Sequence, residues 1–422
     1  MLYINQGSAA GFLTPAQLKE NLYSAFEMLG PRKKILLIPP DYTRFHSMAG
    51  SITRLAWDYY GAAIKDILPA LGTHVAMTEQ EIDSMFPGVP HSLFRVHNWR
   101  SDIKTLGTVP ADYVRLVSDG KVDFSWPAQV NKLLAEGGFD LILSVGQVVP
   151  HEVIGMANYN KNIFVGTGGR EGINKSHFLG AAYGMERIMG KADNPVRKVL
   201  NYASEHFTSH LPIVYIHTVV SKDEKGKLGI NGLFIGDNAD CFEKAAELSL
   251  MVNFNRLEEP LDKVVVFLDP EEFKSTWLGN KSIYRTRMAM ADKGELIVLA
   301  PGVSCFGEDK EIDRLIRKYG YRPTPDVLRM VRENEDLRDN LSAAAHLIHG
   351  SPEDRFSVTY CPGFLSEDEI EGVGFRYAEV HEMMARYDPS WLVDGFNQLG
   401  DERIFFISNP ALGLWAYKNR LT

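Results

Sequence analysis

Three ionisable side chains suited to catalysis stand in one glycine-dense stretch, residues 144–184: His151, Lys161 and His177. A histidine can move protons near neutral pH or bind a metal. A lysine can hold phosphate as a point charge or form a covalent bond to a carbonyl carbon. The stretch therefore predicts a catalytic or cofactor-binding segment. A glycine-rich surface loop with a solvated lysine is the plain alternative.

The glycines of this stretch favour a loop whose backbone comes close to a ligand. Because glycine has no Cβ, such a loop can bring its N–H groups against a phosphate. The glycines concerned are Gly155, Gly166, Gly168, Gly169 and Gly172.

A second polar group, Asp41, Thr43 and Arg44, directly follows the apolar run 34–40. The planar guanidinium of Arg44 can grip a carboxylate or a phosphate through two hydrogen bonds. The alternative is structural, with Asp41 as a helix N-cap and the arginine in a surface ion pair.

Two histidines follow different apolar runs, His97 in VHNWR and His151 in VVPH. An enzyme that inverts one stereocentre needs a proton acceptor on each face of the substrate, and this pair would meet that need. Taken singly, each histidine is more simply a structural residue. The Gly72-Thr73-His74 sequence is a weaker candidate and predicts a tight turn into a helix N-terminus, where an anion can bind.

The elements that must position these residues follow from six short apolar runs separated by amphipathic stretches. Runs rich in Val, Ile, Leu and Phe that end in Pro, Gly or Asp are typical of strands buried in a mainly parallel sheet. The runs lie at 34–40, 139–149, 211–220, 263–270, 295–302 and 403–410. The alternation predicts an α/β fold, in which ligands bind beyond the carboxyl ends of the strands.

A polar, proline-containing segment near residue 260 predicts a boundary between two α/β domains. The first, at 1–260, would hold the catalytic and cofactor-binding residues and would be joined by the apolar C-terminal segment 409–422. The second would cover 261–408.

Composition points to an ordinary globular protein. The 422 residues are 45% hydrophobic, with a net charge of −9 and no clustered basic face, which disfavours nucleic-acid binding. The three cysteines show no C-x-x-C spacing, the N-terminus lacks a secretory pattern, and no run of 18 apolar residues exists. The sequence therefore predicts a cytoplasmic protein without a membrane segment.

In this order and spacing, the residues resemble the lactate racemase family, whose members carry nickel in a tethered pyridinium mononucleotide. The strand-exit Asp-x-Thr-Arg, the GTH turn, and the lysine and histidine ten and twenty-six residues after the Pro-His are all present. The resemblance is strong over 34–180 and weaker beyond it. It implies two α/β domains with mainly parallel sheets and the cofactor and active site in the cleft between them.

The resemblance implies an isomerase that inverts C2 of a 2-hydroxy acid by hydride transfer to and from the nickel-pincer nucleotide. It implies His97 and His151 as the catalytic pair, Lys161 as the covalent link and His177 as the nickel ligand. It also implies that separate maturation proteins make the cofactor. The remaining implied cofactor contacts are Asp41, Thr43, Gly72, Thr73 and Gly166, and Arg44 would hold the substrate carboxylate.

The chain departs from lactate-specific members after the domain junction. Tyr284 is kept, Arg285 replaces a glutamine, and Met288 stands where a substrate-holding lysine would be. We expect Tyr284 and Arg285 to contact substrate, with Arg287 or Lys281 as other replacements for that lysine. The added positive groups predict a substrate larger or more polar than lactate, such as an aldonate or a hydroxy dicarboxylate.

Two other functions are compatible with parts of this pattern. A zinc-dependent hydrolase or lyase would use His97, His151 and His177 as three ligands with one open position. It would give no role to Lys161. A two-lobed binding protein for a small acid would have no use for two bases.

Overall fold

The computed structural model describes residues 1–223 and 226–420. Its strands and helices, in chain order, are β1 (Leu2–Gly7), α1 (Pro15–Leu29), β2 (Ile35–Ile38), α2 (Ala49–Tyr60), β3 (Ile64–Ile67), α3 (Glu79–Met85), β4 (Ile103–Val109), α4 (Ala111–Val117), β5 (Trp126–Asn131), α5 (Lys132–Glu136), β6 (Leu141–Gln147), β7 (Pro150–His151), β8 (Gly155–Met156), α6 (Arg170–Tyr183), α7 (Met185–Ile188), α8 (Pro195–Ala203), β9 (Ile213–Lys222), β10 (Leu228–Gly236), α9 (Ala239–Val252), β11 (Phe254–Leu257), β12 (Leu261–Phe267), α10 (Thr276–Gly279), α11 (Lys281–Tyr284), β13 (Met290–Ala300), α12 (Lys310–Tyr319), α13 (Thr324–Glu333), α14 (Glu335–Arg338), α15 (Leu341–His349), β14 (Ser357–Pro362), α16 (Glu367–Gly372), β15 (Arg376–Tyr377), α17 (Val380–Arg386), β16 (Gly395–Leu399), β17 (Glu402–Ile407) and β18 (Leu414–Tyr417).

The chain divides into two compact units. The first is Met1–Leu179 with Ile188–Asn253, and the second is Gly180–Arg187 with Phe254–Thr422.

The first unit is built on a six-stranded sheet of order β1-β10-β9-β6-β2-β3. Strands β9, β6, β2 and β3 run parallel, while β10 runs antiparallel to both of its neighbours, β9 and the edge strand β1. The apolar faces of α1 and α2 pack on this sheet and bury Leu22, Phe26 and Ile52 completely. Helix α1 begins where a capping box between Thr14 and Gln17 satisfies its first N–H groups. The carboxyl ends of β2, β3 and β6 therefore lie at one edge of a rigid sheet.

The second unit contains another six-stranded sheet, of order β15-β14-β13-β12-β17-β16. All its neighbouring strands pair in parallel except β16, which is an antiparallel edge strand. A separate pair joins β11 to β18 in parallel.

All six predicted apolar runs contain strands of these two sheets, and the α/β fold class is confirmed. The predicted boundary near 260 lies close to the division after Asn253. The C-terminal segment was expected with the first domain, but its strand β18 pairs with β11 inside the second unit. Residues 421 and 422 of that segment lie outside the described residues. Within the described chain, no helix is long and apolar enough to cross a bilayer.

Candidate active site

Asp41 lies just beyond β2 and is hydrogen-bonded to two neighbouring side chains. Its buried carboxylate accepts hydrogen bonds from Thr43 Oγ1 at 2.6 Å and from His74 Nδ1 at 2.7 Å. Burial alone would raise the pKa of Asp41, but these bonds and the charges of His74 and Arg44 outweigh it and hold the pKa below its ordinary value. The side chain makes no capping bond to the following 3₁₀ helix, so the structural alternative for Asp41 is not what is observed.

His74 is oriented by this carboxylate. Because a carboxylate accepts and does not donate, the proton of a neutral His74 lies on Nδ1, and its Nε2 carries a lone pair. The side chain is 45% exposed, so that lone pair can meet a small molecule. The expected turn is present, closed by the His74 N–H on the Leu71 carbonyl at 2.9 Å. However, the next helix begins only at Glu79, so the turn is not part of a helix N-terminus.

The same turn is tied to the segment that carries Lys161. Gly72 has a φ of +58°, and its N–H donates to the Gly166 carbonyl at 2.8 Å. Gly166 ends a short π-helix, Asn162–Gly166, that starts directly after Lys161. Asn162 Nδ2 donates to the Ile38 carbonyl at 3.1 Å and to Ser144 Oγ at 3.0 Å, which fixes this π-helix on the last residue of β2 and the middle of β6. Such π-helical turns are frequent at functional sites.

Lys161 is a weakened base in an electropositive setting. Burial first, and then the charge of Arg44, lower the pKa of its ammonium group to about 8. Arg197 acts in the same direction, while Glu152 and Asp41 oppose it. A substantial fraction of this lysine is therefore a neutral amine near pH 8, the form that attacks an electrophilic carbon.

His177 on α6 is held in the tautomer that suits a metal ligand. Its Nδ1–H donates to the Ile173 carbonyl at 2.7 Å, and because a carbonyl only accepts, Nε2 carries the lone pair. Burial lowers the pKa of His177 and so favours the neutral ring. Lys161 and Glu152 are near enough for their charges to act on the same ring. Lys161 and His177 therefore fit a cofactor that needs one covalent lysine and one histidine ligand.

His151 is the second residue of β7, which forms a small hairpin with β8. It pairs with Gly155, whose φ of +74° and close approach to the Lys191 carbonyl explain the Pro-His-x-x-x-Gly spacing. His151 Nδ1 accepts the Val153 N–H at 3.1 Å, so the neutral ring carries its proton on Nε2.

His97 is placed differently from the other histidines. It is 2% exposed, its Nε2 lies 3.0 Å from the Gly168 carbonyl, and its Nδ1 lies 3.0 Å from Asn131 Nδ2. Both ring nitrogens are thus bonded to protein groups. This arrangement does not favour the predicted role of a base that faces substrate, which His74 meets better.

The glycines between Lys161 and His177 serve packing inside the protein. A Cβ on Gly168 would lie 1.8 Å from the Phe164 carbonyl oxygen, and one on Gly169 would lie 2.6 Å from Gln129 Oε1. One on Gly166 would meet Ala70 at 2.8 Å. These close approaches are to other groups of the protein, whereas the sequence suggested an approach to phosphate.

Tyr284 and Arg285, the predicted substrate contacts, lie at the end of α11 in the second unit, and both are buried. Arg287 was a further candidate, but its guanidinium pairs with Glu186 at 2.6 Å and donates to two backbone carbonyls. Met288 is 1% exposed. Arg287 is therefore a structural residue, which leaves Arg285 and Lys281.

Three residues near the site carried no functional assignment from sequence. Glu152 acts electrostatically on both Lys161 and His177. Asn131 contacts His97, and Asn162 anchors the π-helix. Only Glu152 had a usable signal, since it directly follows His151.

The zinc alternative required three histidines around one ion. Among residues 1–223 and 226–420, no three His, Cys, Asp or Glu side chains are grouped so that they could hold a metal ion. The three-histidine site has no geometric support in the part of the chain described.

Comparisons with known proteins give one domain match and two solved structures of similar fold. Residues 19–187 match the family model of the lactate racemase N-terminal domain. A crystal structure of a protein from Thermotoga maritima superposes with a TM-score of 0.80 at 26% identity, over 98% of this chain and 100% of that one. No curated protein matches the sequence.

The lactate racemase apoprotein from Thermoanaerobacterium thermosaccharolyticum has a TM-score of 0.67 at 19% identity, covering 92% of this chain and 88% of that one. At this identity the likeness concerns the fold. The domain match and the shared fold together confirm the resemblance of this chain to the lactate racemase family.

Proposed function

We propose that this protein is a 2-hydroxy acid racemase or epimerase that works with a nickel-pincer nucleotide bonded to Lys161. The observation that carries the proposal is the pairing of a lysine whose pKa is lowered to about 8 with a nearby histidine whose Nε2 lone pair is set by the Ile173 carbonyl. When bound, the nucleotide supplies a hydride acceptor and donor, which the twenty amino-acid side chains lack.

The side chains of the first unit have roles in binding and proton transfer. Arg44, beside Thr43 at the exit of β2, would grip the substrate carboxylate through its guanidinium. His74 Nε2 would take the hydroxyl proton, with Asp41 stabilising the imidazolium that forms. His151 would serve the opposite enantiomer, once its ring turns away from the Val153 N–H and frees a lone pair. His97 is no longer proposed as one of the catalytic pair. It is a structural residue bonded to the glycine loop, residues 166–169.

The test is the intact mass and nickel content of the protein made in a host that carries the cofactor-maturation proteins. We expect a nucleotide-sized mass excess that maps to Lys161 and near-stoichiometric nickel. Lys161→Arg is the matched control, because it keeps the charge but cannot form the link. A chain without adduct or nickel, made beside a control racemase that loads in the same cells, would refute the proposal.

The substrate is proposed to be larger or more polar than lactate. Arg285 stands where lactate-specific members have a glutamine, and Arg287 is already satisfied by Glu186. We expect a higher kcat/KM for an aldonate or a hydroxy dicarboxylate than for lactate. Faster turnover of lactate than of every larger 2-hydroxy acid tried would contradict this part.

A further inference from the structure

A continuous chain of hydrogen bonds runs from the start of α5 to the glycine loop before α6. The Leu133 N–H donates to Asn131 Oδ1 at 2.9 Å, and Asn131 Nδ2 lies 3.0 Å from His97 Nδ1. His97 Nε2 lies 3.0 Å from the Gly168 carbonyl. Each link is buried or partly buried, so water competes weakly for these groups.

The first link decides the direction of all the others. Because a backbone N–H can only donate, Asn131 must turn its Oδ1 toward Leu133 and its NH₂ group toward His97. His97 Nδ1 must then accept, and the single proton of the neutral ring lies on Nε2, where it is donated to the Gly168 carbonyl. The two ends of the chain thus impose one tautomer on His97.

The Gly168 carbonyl, which lies 3.0 Å from His97 Nε2, belongs to the segment that leads into α6, the helix that carries His177. The next residue, Gly169, accepts the Ile173 N–H at 3.0 Å, and the Ile173 carbonyl in turn accepts His177 Nδ1–H. A second anchor comes from Trp126 on β5, whose Nε1–H donates to the Gly172 carbonyl at 2.9 Å. The β5 strand and the residue that ends it, Asn131, are therefore linked by hydrogen bonds to the backbone around the start of α6, directly through Trp126 and through His97.

We propose that Asn131 and His97 form a positioning pair that sets the glycine loop and, through it, the orientation of His177. Asn131 acts on His97 by fixing its tautomer, and His97 acts on the loop by donating from Nε2. The inference rests on the proposed function in one respect. That function supplies the reason for positioning His177, which is to orient its Nε2 lone pair. The hydrogen-bond chain itself belongs to the protein without cofactor.

The test is nitrogen-15 NMR of the imidazole rings in the full chain made without maturation proteins. We expect His97 to show a lone-pair nitrogen at Nδ1 and a protonated nitrogen at Nε2, with the signals assigned by their loss in His97→Gln. In Asn131→Asp, the carboxylate still caps α5 but requires a donor, so both nitrogens of His97 should become protonated. Asp102 is the other carboxylate whose charge acts on this ring, and it is unchanged in that variant.

Asn340→Asp is the matched control, since Asn340 caps α15 in the second unit through the Ala343 N–H and has the same change of chemistry. It should leave the His97 signals unchanged. A proton on Nδ1 in the unsubstituted chain, or an Asn131→Asp spectrum identical to that of the control, would overturn the proposed tautomer.

Hydrogen exchange tests the positional part. Loss of one neutral hydrogen bond in His97→Ala should speed amide exchange across residues 168–177 about fivefold. Exchange in β9 should stay unchanged if the unit remains folded. Unchanged exchange at 168–177 would refute the positioning role. A missing nucleotide on Lys161 would instead refute the proposed function and leave the NMR result standing.

Discussion

Two cations, one in each unit, have opposite environments. Arg287 in the second unit is 1% exposed, and it is neutralised by Glu186 and bonded to the carbonyls of Ile348 and Ser351. Lys161 in the first unit is near two further cations, Arg44 and Arg197, and its pKa falls to about 8. A cation whose charge is balanced holds structure together. A buried cation surrounded by other positive charges has a lowered pKa, so it loses its proton more easily and can react as a neutral amine.

Removing the balanced cation should have the largest effect. Arg287→Met leaves the Glu186 carboxylate without its main partner, and breaking a buried pair typically costs about 3–5 kcal/mol. The free energy of unfolding, from urea denaturation followed in the second unit, measures it. Lys161→Met should not lower the same quantity at pH 7 and should raise it by up to about 1–3 kcal/mol, because it removes an unfavourable buried charge. Equal losses of unfolding free energy in the two variants would contradict the proposed difference between Arg287 and Lys161.

The next effect concerns the carboxylate that orients His74. Asp41→Asn keeps an acceptor for Nδ1–H but removes the charge that stabilises the imidazolium, so kcat of the loaded enzyme should fall about a hundredfold. Thr43→Val removes only the neighbouring hydroxyl and should cost less than about tenfold. An unchanged kcat in Asp41→Asn would remove His74 from the proposed mechanism.

The smallest effect is a pH dependence of stability caused by Lys161. Its folded pKa of about 8 lies below its ordinary value of 10.5, so the unfolded chain binds the proton more tightly between these values. The stability of the unsubstituted protein, relative to Lys161→Met, should therefore rise from pH 8 to pH 10.5 by about 1–3 kcal/mol and be constant below pH 8. Denaturation of both proteins at a series of pH values measures this difference. A flat difference would mean an unshifted lysine.

Much of the fold was readable from sequence because a buried parallel strand needs an uninterrupted apolar run. The runs at 34–40 and 139–149 are such cases, and the polar residues after them reached the expected edge. The placement of Asp41 follows from that rule alone, whereas Lys161 lies beyond the β7–β8 hairpin and is positioned by the hydrogen bonds of Asn162. Local periodicity and strand exits therefore account for the sheets and for the general position of the site.

The roles of individual side chains could not be predicted in the same way. Whether a histidine offers a lone pair depends on its partner, which is a backbone carbonyl for His177 and an amide side chain for His97. Arg287 meets a carboxylate 101 residues earlier in the chain, a contact that no local pattern encodes. Long-range pairing thus decided which cation is structural and which is available for chemistry.

The segment Gly180–Arg187 belongs to the second unit although the chain on both sides of it belongs to the first. Glu186, which neutralises Arg287, is contributed by this short excursion. A polypeptide starting at Phe254 would therefore lack that carboxylate, and cutting the gene between the two sheets would not yield two self-sufficient halves. During synthesis, Arg287 can acquire its counter-ion only from chain that left the ribosome about a hundred residues earlier, so the residues after Asn253 cannot complete the second unit by themselves.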